Sequence, residues 1–399
     1  MPFSFNVAPL PEIRFGAGRI AELAPILSER GVRRLLLVTG ARSFVQTAHW
    51  TALQTQLGGR GIEWEHTVVS GEPSPELIDE TVSRFHGRGI DTVVGIGGGS
   101  VLDAAKAIAG LLPFGNSVLD HLEGVGKGVE YVGPAMPFIA VPTTAGTGSE
   151  ATKNAVLSVQ GPQGYKKSFR HDTLVPKVAL IDPDLLATCA AEQIAANGMD
   201  AFTQLLESYV STSASQFTDA LAWSGMTQVR DSLIPCWNGE EPQATAARAG
   251  MAYGALMSGI TLAQAGLGAV HGLASPLGAF FPIPHGVACG SVLAAATEIN
   301  IRALKRRAPH HPGLAKYAQV GRLLNPALTP GEDHEDALTG LLDVLNGWTQ
   351  WLDMPRLREY GVTEEYFPKI VANSRGNSMK TNPVVLTDNE ITQILEKVV

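Results

Sequence analysis

The strongest constraint on this fold is an alternation of short apolar runs and helix-like segments in the first half of the chain. The apolar runs occupy residues 33–39, 62–69, 91–100, 136–142 and 175–186. Helical periodicity occurs between them, for example in PELIDETVSRFHGRG and VLDAAKAIAGLL. Strands that are buried on both faces have continuous apolar sequences, and crossover helices join such strands in parallel. The pattern therefore predicts a Rossmann-like α/β domain with a parallel sheet.

The second half of the chain has a different character. From residue 190 onward most segments show helical periodicity, interrupted only by short stretches rich in proline and glycine. A chain of 399 residues is long enough for two packed domains. We predict a dinucleotide-binding α/β domain over 1–186 and an all-helical domain over 187–399, with an active site in the cleft between them.

Composition argues against several classes of protein. The formal net charge is -8, so the chain lacks the basic surface that nucleic-acid binding requires. The three cysteines, Cys189, Cys236 and Cys289, form no C-x-x-C pair. We interpret them as reduced core thiols of a cytoplasmic protein.

Two segments bear on targeting. The first 16 residues have no basic segment before an apolar run, so we expect no signal peptide. Residues 251–284 contain no charged side chain, which is long enough for a membrane span of about 20 residues. The stretch also contains polar residues and several glycines, so we predict a buried core segment and no membrane association.

A glycine-rich turn follows the apolar run that ends near residue 96. Gly97, Gly98, Gly99 and Ser100 stand between this strand and a predicted helix. Glycines there let the backbone approach a pyrophosphate, whose charge the N–H groups at the helix start bind. Ser100 and Asp103 have the spacing of a capping box for this helix. A turn of this kind also ends strands for purely structural reasons.

A second loop strengthens the prediction of a nucleotide site. It follows the strand at 136–142 and contains the hydroxyls of Thr143, Thr144 and Thr147. These groups can donate hydrogen bonds to phosphate, ribose or an amide, although such residues favour turns in any case. Two loops of this kind fit a ligand at the carboxyl edge of an open sheet.

The turn after residues 33–39 concerns cofactor preference. Enzymes specific for NAD usually place an acidic residue near the ribose 2′-hydroxyl. Here the turn is Thr39-Gly40-Ala41-Arg42-Ser43, with no acidic residue. Arg42 and Ser43 are candidates for binding a 2′-phosphate, while a solvated surface arginine is the alternative interpretation.

Four residues of the helical half are candidate metal ligands. Asp200 and Gln204 are four residues apart and share one helix face. His271 lies in the charge-free stretch, and His285 follows a proline-rich break. A carboxylate and two imidazoles suit a divalent transition metal, although a single buried histidine is more often structural.

The chain resembles the iron-containing, or group III, alcohol dehydrogenases, which share the dehydroquinate synthase-like fold. The resemblance runs along nearly the whole chain. It is carried by the segments IRFGAG (13–18), GGGSVLD (97–103), VPTTAGTGSE (141–150), NGMDA (197–201), HG (271–272) and PHGV (284–287).

The resemblance implies a metal-dependent oxidoreductase that transfers a hydride between NAD(P)(H) and an alcohol or aldehyde. Iron or zinc would lie on Asp200, the residue at 204, His271 and His285, and the cofactor would contact the two loops. Asn154 and Lys166 also occupy positions where this family contacts the cofactor. A homodimer or larger homo-oligomer is common in such proteins.

Three departures from the family pattern stand out. The family usually has histidine where this chain has Gln204, and a further active-site histidine is replaced by Ser275. The acidic residue of NAD-specific members is Gly40 here. The departures affect the metal, the proton relay and the cofactor preference, so we expect NADPH to serve at least as well as NADH.

Alternative functions on the same fold are a metal-free reductase like maleylacetate reductase and a lyase of the dehydroquinate synthase type. A non-catalytic nucleotide-binding protein is a further alternative. The substrate cannot be identified from sequence. Arg375 and Lys380 lie in a C-terminal stretch that borders the pocket in the family, where they are candidates for pairing with an anionic substrate or are simply exposed cations.

Overall fold

The computed structural model of the protein describes residues 4–325 and 334–399. The strands are β1 (Glu12–Phe15), β2 (Arg34–Gly40), β3 (Glu63–Val69), β4 (Thr92–Gly97), β5 (Phe138–Pro142), β6 (Asn154–Val159), β7 (Tyr165–Arg170) and β8 (Val178–Ile181). The α-helices of the first half are α1 (Leu23–Glu29), α2 (Ala48–Gly59), α3 (Pro75–Phe85) and α4 (Gly99–Leu111). Those of the second half are α5 (Ala191–Val210), α6 (Gln216–Asn238), α7 (Gln243–Ala265), α8 (Ala269–Phe280), α9 (His285–Arg307), α10 (Pro312–Leu324), α11 (His334–Trp351), α12 (Phe367–Asn373) and α13 (Asp388–Val398).

The first half forms a parallel sheet of six strands in the order β1-β8-β5-β4-β2-β3. Its central strands are fully buried, as the continuous apolar runs predicted, because helices cover both faces of the sheet. The predicted fold class is confirmed. The chain passes from β2 outward to β3 and then crosses back to β4. That reversal opens a crevice at the carboxyl ends of β2 and β4, which is where open α/β sheets bind ligands.

Two features of the first half were not predicted. β1 adds an edge strand parallel to β8, and its four residues are too exposed to form a continuous apolar run. β6 and β7 form an antiparallel hairpin outside the main sheet, with Asn154 paired to Arg170 and Val159 to Tyr165. The hairpin matters for function because it carries two of the predicted cofactor contacts.

The second half is helical, and its core is continuous from α5 to α13. The charge-free stretch at 251–284 divides into α7 and α8 at Gly266, and most of its residues are buried. α9 is long and apolar enough to cross a membrane by length and composition, but 83% of its most apolar window is buried inside the protein. Burial to this extent fits a helix at the centre of a helical domain.

The two halves join through a short 3-10 helix, Pro183–Thr188, between β8 and α5. Asp182, at its start, is fully buried, and its carboxylate accepts hydrogen bonds from the N–H groups of Gly18 and Ile20. The boundary that the sequence predicts between residues 186 and 187 lies inside this 3-10 helix.

Candidate metal and nucleotide site

The glycine-rich turn lies at the crevice of the sheet. β4 ends at Gly97, Gly98 precedes the helix, and α4 begins at Gly99. A Cβ on Gly99 would lie 2.6 Å from Cγ2 of Thr147, so the first turn of α4 packs directly on the threonine loop. The N–H groups at the start of α4 therefore face a narrow space between two loops, where a phosphate can accept from them.

The predicted capping box at this helix is wrong. The N-cap residue is Gly98, without a side-chain cap, and Ser100 lies inside the helix. Asp103 instead accepts hydrogen bonds from Ser149 Oγ (2.5 Å) and from the N–H of Val156 (3.1 Å). It thereby ties α4 to the threonine loop and the hairpin, and burial raises the pKa of its carboxyl. Asp103 is bonded to residues that are distant in the sequence, so its spacing from Ser100 did not predict its hydrogen-bond partners.

A cleft of about 1620 Å³ opens between the two halves of the chain. It is lined by the turn residues Gly98, Gly99 and Ser100, by the loop residues Thr143, Thr144 and Thr147, and by Asp200 and His285 of the helical half. A cleft with a helix N-terminus on one wall and ionisable side chains on the other suits a ligand that is partly anionic.

Only part of the turn that follows β2 lines this cleft. Ser43 lines it, whereas Arg42 is exposed and does not. Gly40 is the last residue of β2, and a Cβ there would meet Ser43 Oγ and Val101 Cγ2 only at 3.9 Å. The turn therefore has room for a side chain at residue 40.

A second cavity of about 450 Å³ adjoins the first, with Gly99, Thr147 and His285 lining both. The hairpin residues Asn154 and Lys166 line it. Nζ of Lys166 lies 2.9 Å from Oε2 of Glu72, another residue shared by both cavities. The hairpin that sequence reasoning missed thus carries both residues to the second cavity, and Lys166 to a residue that both cavities share.

Three of the predicted metal ligands converge beside this junction. Asp200 lies in the middle of α5, His271 in the first turn of α8, and His285 at the first position of α9. Oδ1 of Asp200 is 3.2 Å from Nε2 of His271 and 3.9 Å from Nε2 of His285. Cys289 joins them, and one donor atom from each of the four residues lies within 4.8 Å of the others.

Gln204, the fourth predicted ligand, lies one turn after Asp200 on the same face of α5 and is buried. Its Oε1 accepts a hydrogen bond from Ser258 Oγ (3.0 Å). The residue lines the second cavity together with His271 and His285. Gln204 is therefore near the group, with its amide oxygen already engaged by a neighbour.

The cluster has an unusual electrostatic balance. Burial opposes ionisation of Asp200, but the neighbouring His285 and His271 outweigh it and lower the pKa of this carboxyl to about 2. Burial and the Lys166 ammonium lower the pKa of His285 to about 4. At neutral pH the site therefore offers an ionised Asp200 and a neutral His285, which are the forms that bind metal ions. His271 differs, because burial lowers its pKa but Cys289, Asp200 and Glu207 outweigh burial and raise the pKa well above its ordinary value. A metal ion would have to displace one proton from this ring.

Glu207 is a functional residue that sequence reasoning missed. Its Oε2 lies 2.6 Å from Nδ1 of His271, and its Oε1 accepts from the N–H of Val270 (2.7 Å). Because a carboxylate only accepts, Nδ1 of His271 donates to Glu207 and Nε2 donates to Asp200 in the metal-free site. A metal ion would displace the Nε2 proton, while Glu207 would keep the Nδ1 proton in place. Gly268 permits this approach, since a Cβ there would lie 2.9 Å from Oε1 of Glu207.

The sequence held a usable signal for both missed residues. Glu207 is seven residues after Asp200 on α5, and Cys289 is four residues after His285 on α9. Both spacings put the side chain on the same helix face as a predicted ligand. The interpretation of Cys289 as an ordinary core thiol overlooked this spacing.

Three further residues have defined places. Ser275 lines the second cavity, and its Oγ donates to the carbonyl of Lys166 (3.3 Å). Arg375 is exposed and pairs with Asp388 at 2.5 Å, and Lys380 is exposed and lies 2.9 Å from Asn377 Oδ1. Neither cation lines the cleft or the second cavity, so neither is placed to pair with an anionic substrate bound there.

The donor set fits a divalent transition metal. Carboxylate, imidazole and thiolate are the ligand types of zinc and related ions. The Glu207–His271 pair is the carboxylate–histidine arrangement that usually backs such an ion. Asp200 and His285 of this cluster line the cleft, and His271 and His285 line the adjoining cavity.

Comparison with known proteins agrees with this architecture. Residues 11–183 match the family "Iron-containing alcohol dehydrogenase", and residues 194–399 match "Fe-containing alcohol dehydrogenase family, C-terminal". An NAD-dependent methanol dehydrogenase of Bacillus methanolicus is 30% identical over 402 residues, covering 98% of this chain and 99% of that protein. A lactaldehyde reductase of Escherichia coli (strain K12) is 29% identical over 364 residues, covering 89% of each.

Solved structures show the same fold. A crystal structure of 1,3-propanediol oxidoreductase superposes with a TM-score of 0.88 at 27% identity, covering 99% of this chain and 100% of that one. The resemblance that the glycine, threonine and histidine motifs carry is thus confirmed along nearly the whole length of the chain. The protein belongs to the iron-containing alcohol dehydrogenase family.

Proposed function

We propose that this protein is a metal-dependent oxidoreductase that interconverts a small alcohol and its aldehyde with NAD(P)(H). The observation that carries the proposal is the convergence of Asp200, His271 and His285 where the glycine-lined cleft adjoins the second cavity. The dehydrogenases and reductases among its relatives support the reaction class.

The first half of the chain would bind the cofactor. N–H groups at the start of α4 would receive the pyrophosphate, and Thr143, Thr144 and Thr147 would border the nucleotide. Asn154 and Lys166, on the hairpin, would contact it where the second cavity begins. The nicotinamide supplies the hydride chemistry itself, so the protein's task is to position its ring.

The helical half would bind the metal and orient the substrate. A divalent ion bound there would act as a Lewis acid on the substrate oxygen, which is worth several kcal/mol of charge stabilisation. Asp200, His271 and His285 would hold the ion, and Glu207 would fix the orientation of His271. For proton transfer, Ser275 is a candidate hydroxyl among those that line the second cavity, with water and the ribose hydroxyls as alternatives.

The protein would use NADPH at least as readily as NADH. Gly40 ends β2 without a carboxylate, so nothing at that position repels a 2′-phosphate. Ser43 lines the cleft nearby and offers a hydroxyl. We also propose a homodimer or larger assembly in the cytoplasm, which light scattering and cell fractionation would test.

The test is a comparison of two site variants with a surface control. His271→Ala and His285→Ala should each abolish turnover with a panel of alcohols and aldehydes while NAD(P)H binding stays nearly intact. His310→Ala, an exposed histidine in the chain between α9 and α10, should behave as wild type. Substantial activity in both site variants would exclude the metal from the mechanism.

A metal-free reductase is the second candidate. It is favoured by one observation, that Gln204 replaces an imidazole and its amide oxygen is held by Ser258. In such an enzyme, protein side chains would polarise the carbonyl in place of a metal. The metal content of a freshly purified sample separates the two candidates, since the metal-dependent enzyme should contain close to one ion per subunit.

A further inference from the structure

We propose that Cys289 is the fourth metal ligand of this protein, in place of the residue at 204, and that the site is therefore an Asp-His-His-Cys centre suited to zinc. The inference rests on the proposed metal-dependent function. It assigns the ligand role to a side chain that the family pattern does not predict.

The distances around Cys289 fit a shared ion. Its Sγ is 3.6 Å from Nε2 of His271 and 3.9 Å from Nε2 of His285. A tetrahedral zinc ion with N and O donors at about 2.1 Å and S at about 2.3 Å sets neighbouring donors about 3.4–3.6 Å apart. The two Cys289 contacts and the 3.2 Å between Asp200 and His271 lie within a few tenths of an ångström of that spacing. The 3.9 Å between Asp200 and His285 is about 0.5 Å longer than it.

The surroundings of Cys289 separate it from the other two cysteines. Its side chain is fully buried, and it lies one helical turn after His285, so both face the same way from α9. Cys189, by contrast, donates to the carbonyl of Thr143 at 3.3 Å. Within residues 4–325 and 334–399, the group that includes Cys289 is the one cluster of potential metal ligands.

Gln204 is the poorer fourth donor. Its Oε1 lies 3.0 Å from Oγ of Ser258 and shares the single proton of that hydroxyl with the nearer carbonyl of Ala255 at 2.8 Å. An amide oxygen is neutral and hard, whereas zinc binds thiolate more strongly. The loss of an imidazole at 204 and the presence of a thiol at 289 therefore compensate for each other in one site.

The charge of the site supports this assignment. On binding, the Cys289 thiol and Nε2 of His271 would each lose a proton to solvent, and the freed lone pairs would form the S–metal and N–metal bonds, with no change in oxidation state. The thiolate and the Asp200 carboxylate then carry two negative charges, and the two imidazoles are neutral. Together they neutralise a divalent ion, which an Asp-plus-three-His set leaves with a net charge of about +1.

Cobalt substitution tests the sulfur ligand directly. Wild-type protein is stripped of metal with a chelator and reloaded with Co²⁺, and the near-ultraviolet thiolate-to-cobalt charge-transfer band is recorded. We expect the band in the wild type and in Cys236→Ser, a buried cysteine on α6, and its loss in Cys289→Ser and Cys289→Ala. Gln204→Ala should keep the band.

X-ray absorption of the zinc-loaded wild type gives a test that needs no variant. We expect one sulfur neighbour at about 2.3 Å. Zinc or cobalt bound without sulfur, or a band that persists in the Cys289 variants, would overturn the assignment and leave the proposed function standing. A wild type that binds neither ion would refute the metal-dependent function itself.

Discussion

Replacing Glu207 with glutamine changes one atom beside the metal site and tests how the histidine ligand is prepared. The carboxylate serves two N–H donors, one from the backbone of Val270 and one from Nδ1 of His271. A glutamine has a single acceptor oxygen for these two donors. A backbone N–H is always a donor, whereas an imidazole nitrogen can become an acceptor when the ring changes its tautomer. The amide oxygen of the variant should therefore keep its hydrogen bond with the N–H of Val270.

The amide NH₂ of the variant would then donate to Nδ1 of His271. This requires Nδ1 to be unprotonated, so the one proton of the neutral ring stays on Nε2, which is the atom that faces Asp200 and Cys289. The lone pair needed by the metal is lost in that tautomer. Removing such a supporting partner typically lowers metal affinity 10- to 100-fold, or about 1.4–2.8 kcal/mol.

The assay is a competition titration of metal-free protein with a chelator and zinc, for Glu207→Gln against wild type. Glu298→Gln is the matched control, because it is the same substitution at a glutamate that pairs with Lys397. Glu298 lies on α9, the helix that carries His285, but on the surface of the protein. Thermal unfolding of the metal-free variant should be nearly unchanged, because the bond to Val270 remains. Zinc affinity of Glu207→Gln within about twofold of the wild type would refute the tautomer argument.

Three further predictions concern the first half of the chain. Gly40→Asp should lower kcat/KM for NADPH relative to NADH at least about tenfold, because a new carboxylate repels a 2′-phosphate and the turn has room for it; an unchanged ratio in steady-state kinetics contradicts this. Gly99→Ala should weaken NAD(P)H binding in a fluorescence titration, because its Cβ would lie 2.6 Å from Thr147, whereas Gly58→Ala, with nothing within 4 Å, should not. Burial raises the pKa of Glu150 to about 7 from its ordinary 4.5, so the folded protein keeps a proton that the unfolded chain loses, and stability falls as pH rises between these values. Glu150→Gln removes that loss, so from about pH 5 to about pH 8 its free energy of unfolding should gain on the order of 2–3 kcal/mol over wild type, and a pH-independent difference would contradict it.

The sequence by itself determined the sheet, the two loops and most of the metal site. The apolar runs at 33–39, 62–69 and 136–142 correspond closely to β2, β3 and β5. Strands buried on both faces leave such a pattern, and it can be recognised without knowing their partners. The motifs around Asp200, His271 and His285 are short and specific, so the resemblance to a family is enough to single out these three residues as candidate ligands.

Only the tertiary structure decided which neighbours act on these residues. Glu207 and His271 are 64 residues apart, and Cys289 and His271 are 18 apart on different helices. Periodicity says which face of a helix a side chain occupies, but not which face of another helix it meets. Asp103 shows the same limit, since packing of α4 on β6 and the threonine loop gave it long-range partners in place of a local cap. The chemistry of this site thus depends on how α5, α8 and α9 pack against one another, because that packing brings the donor atoms within bonding distance of a shared ion.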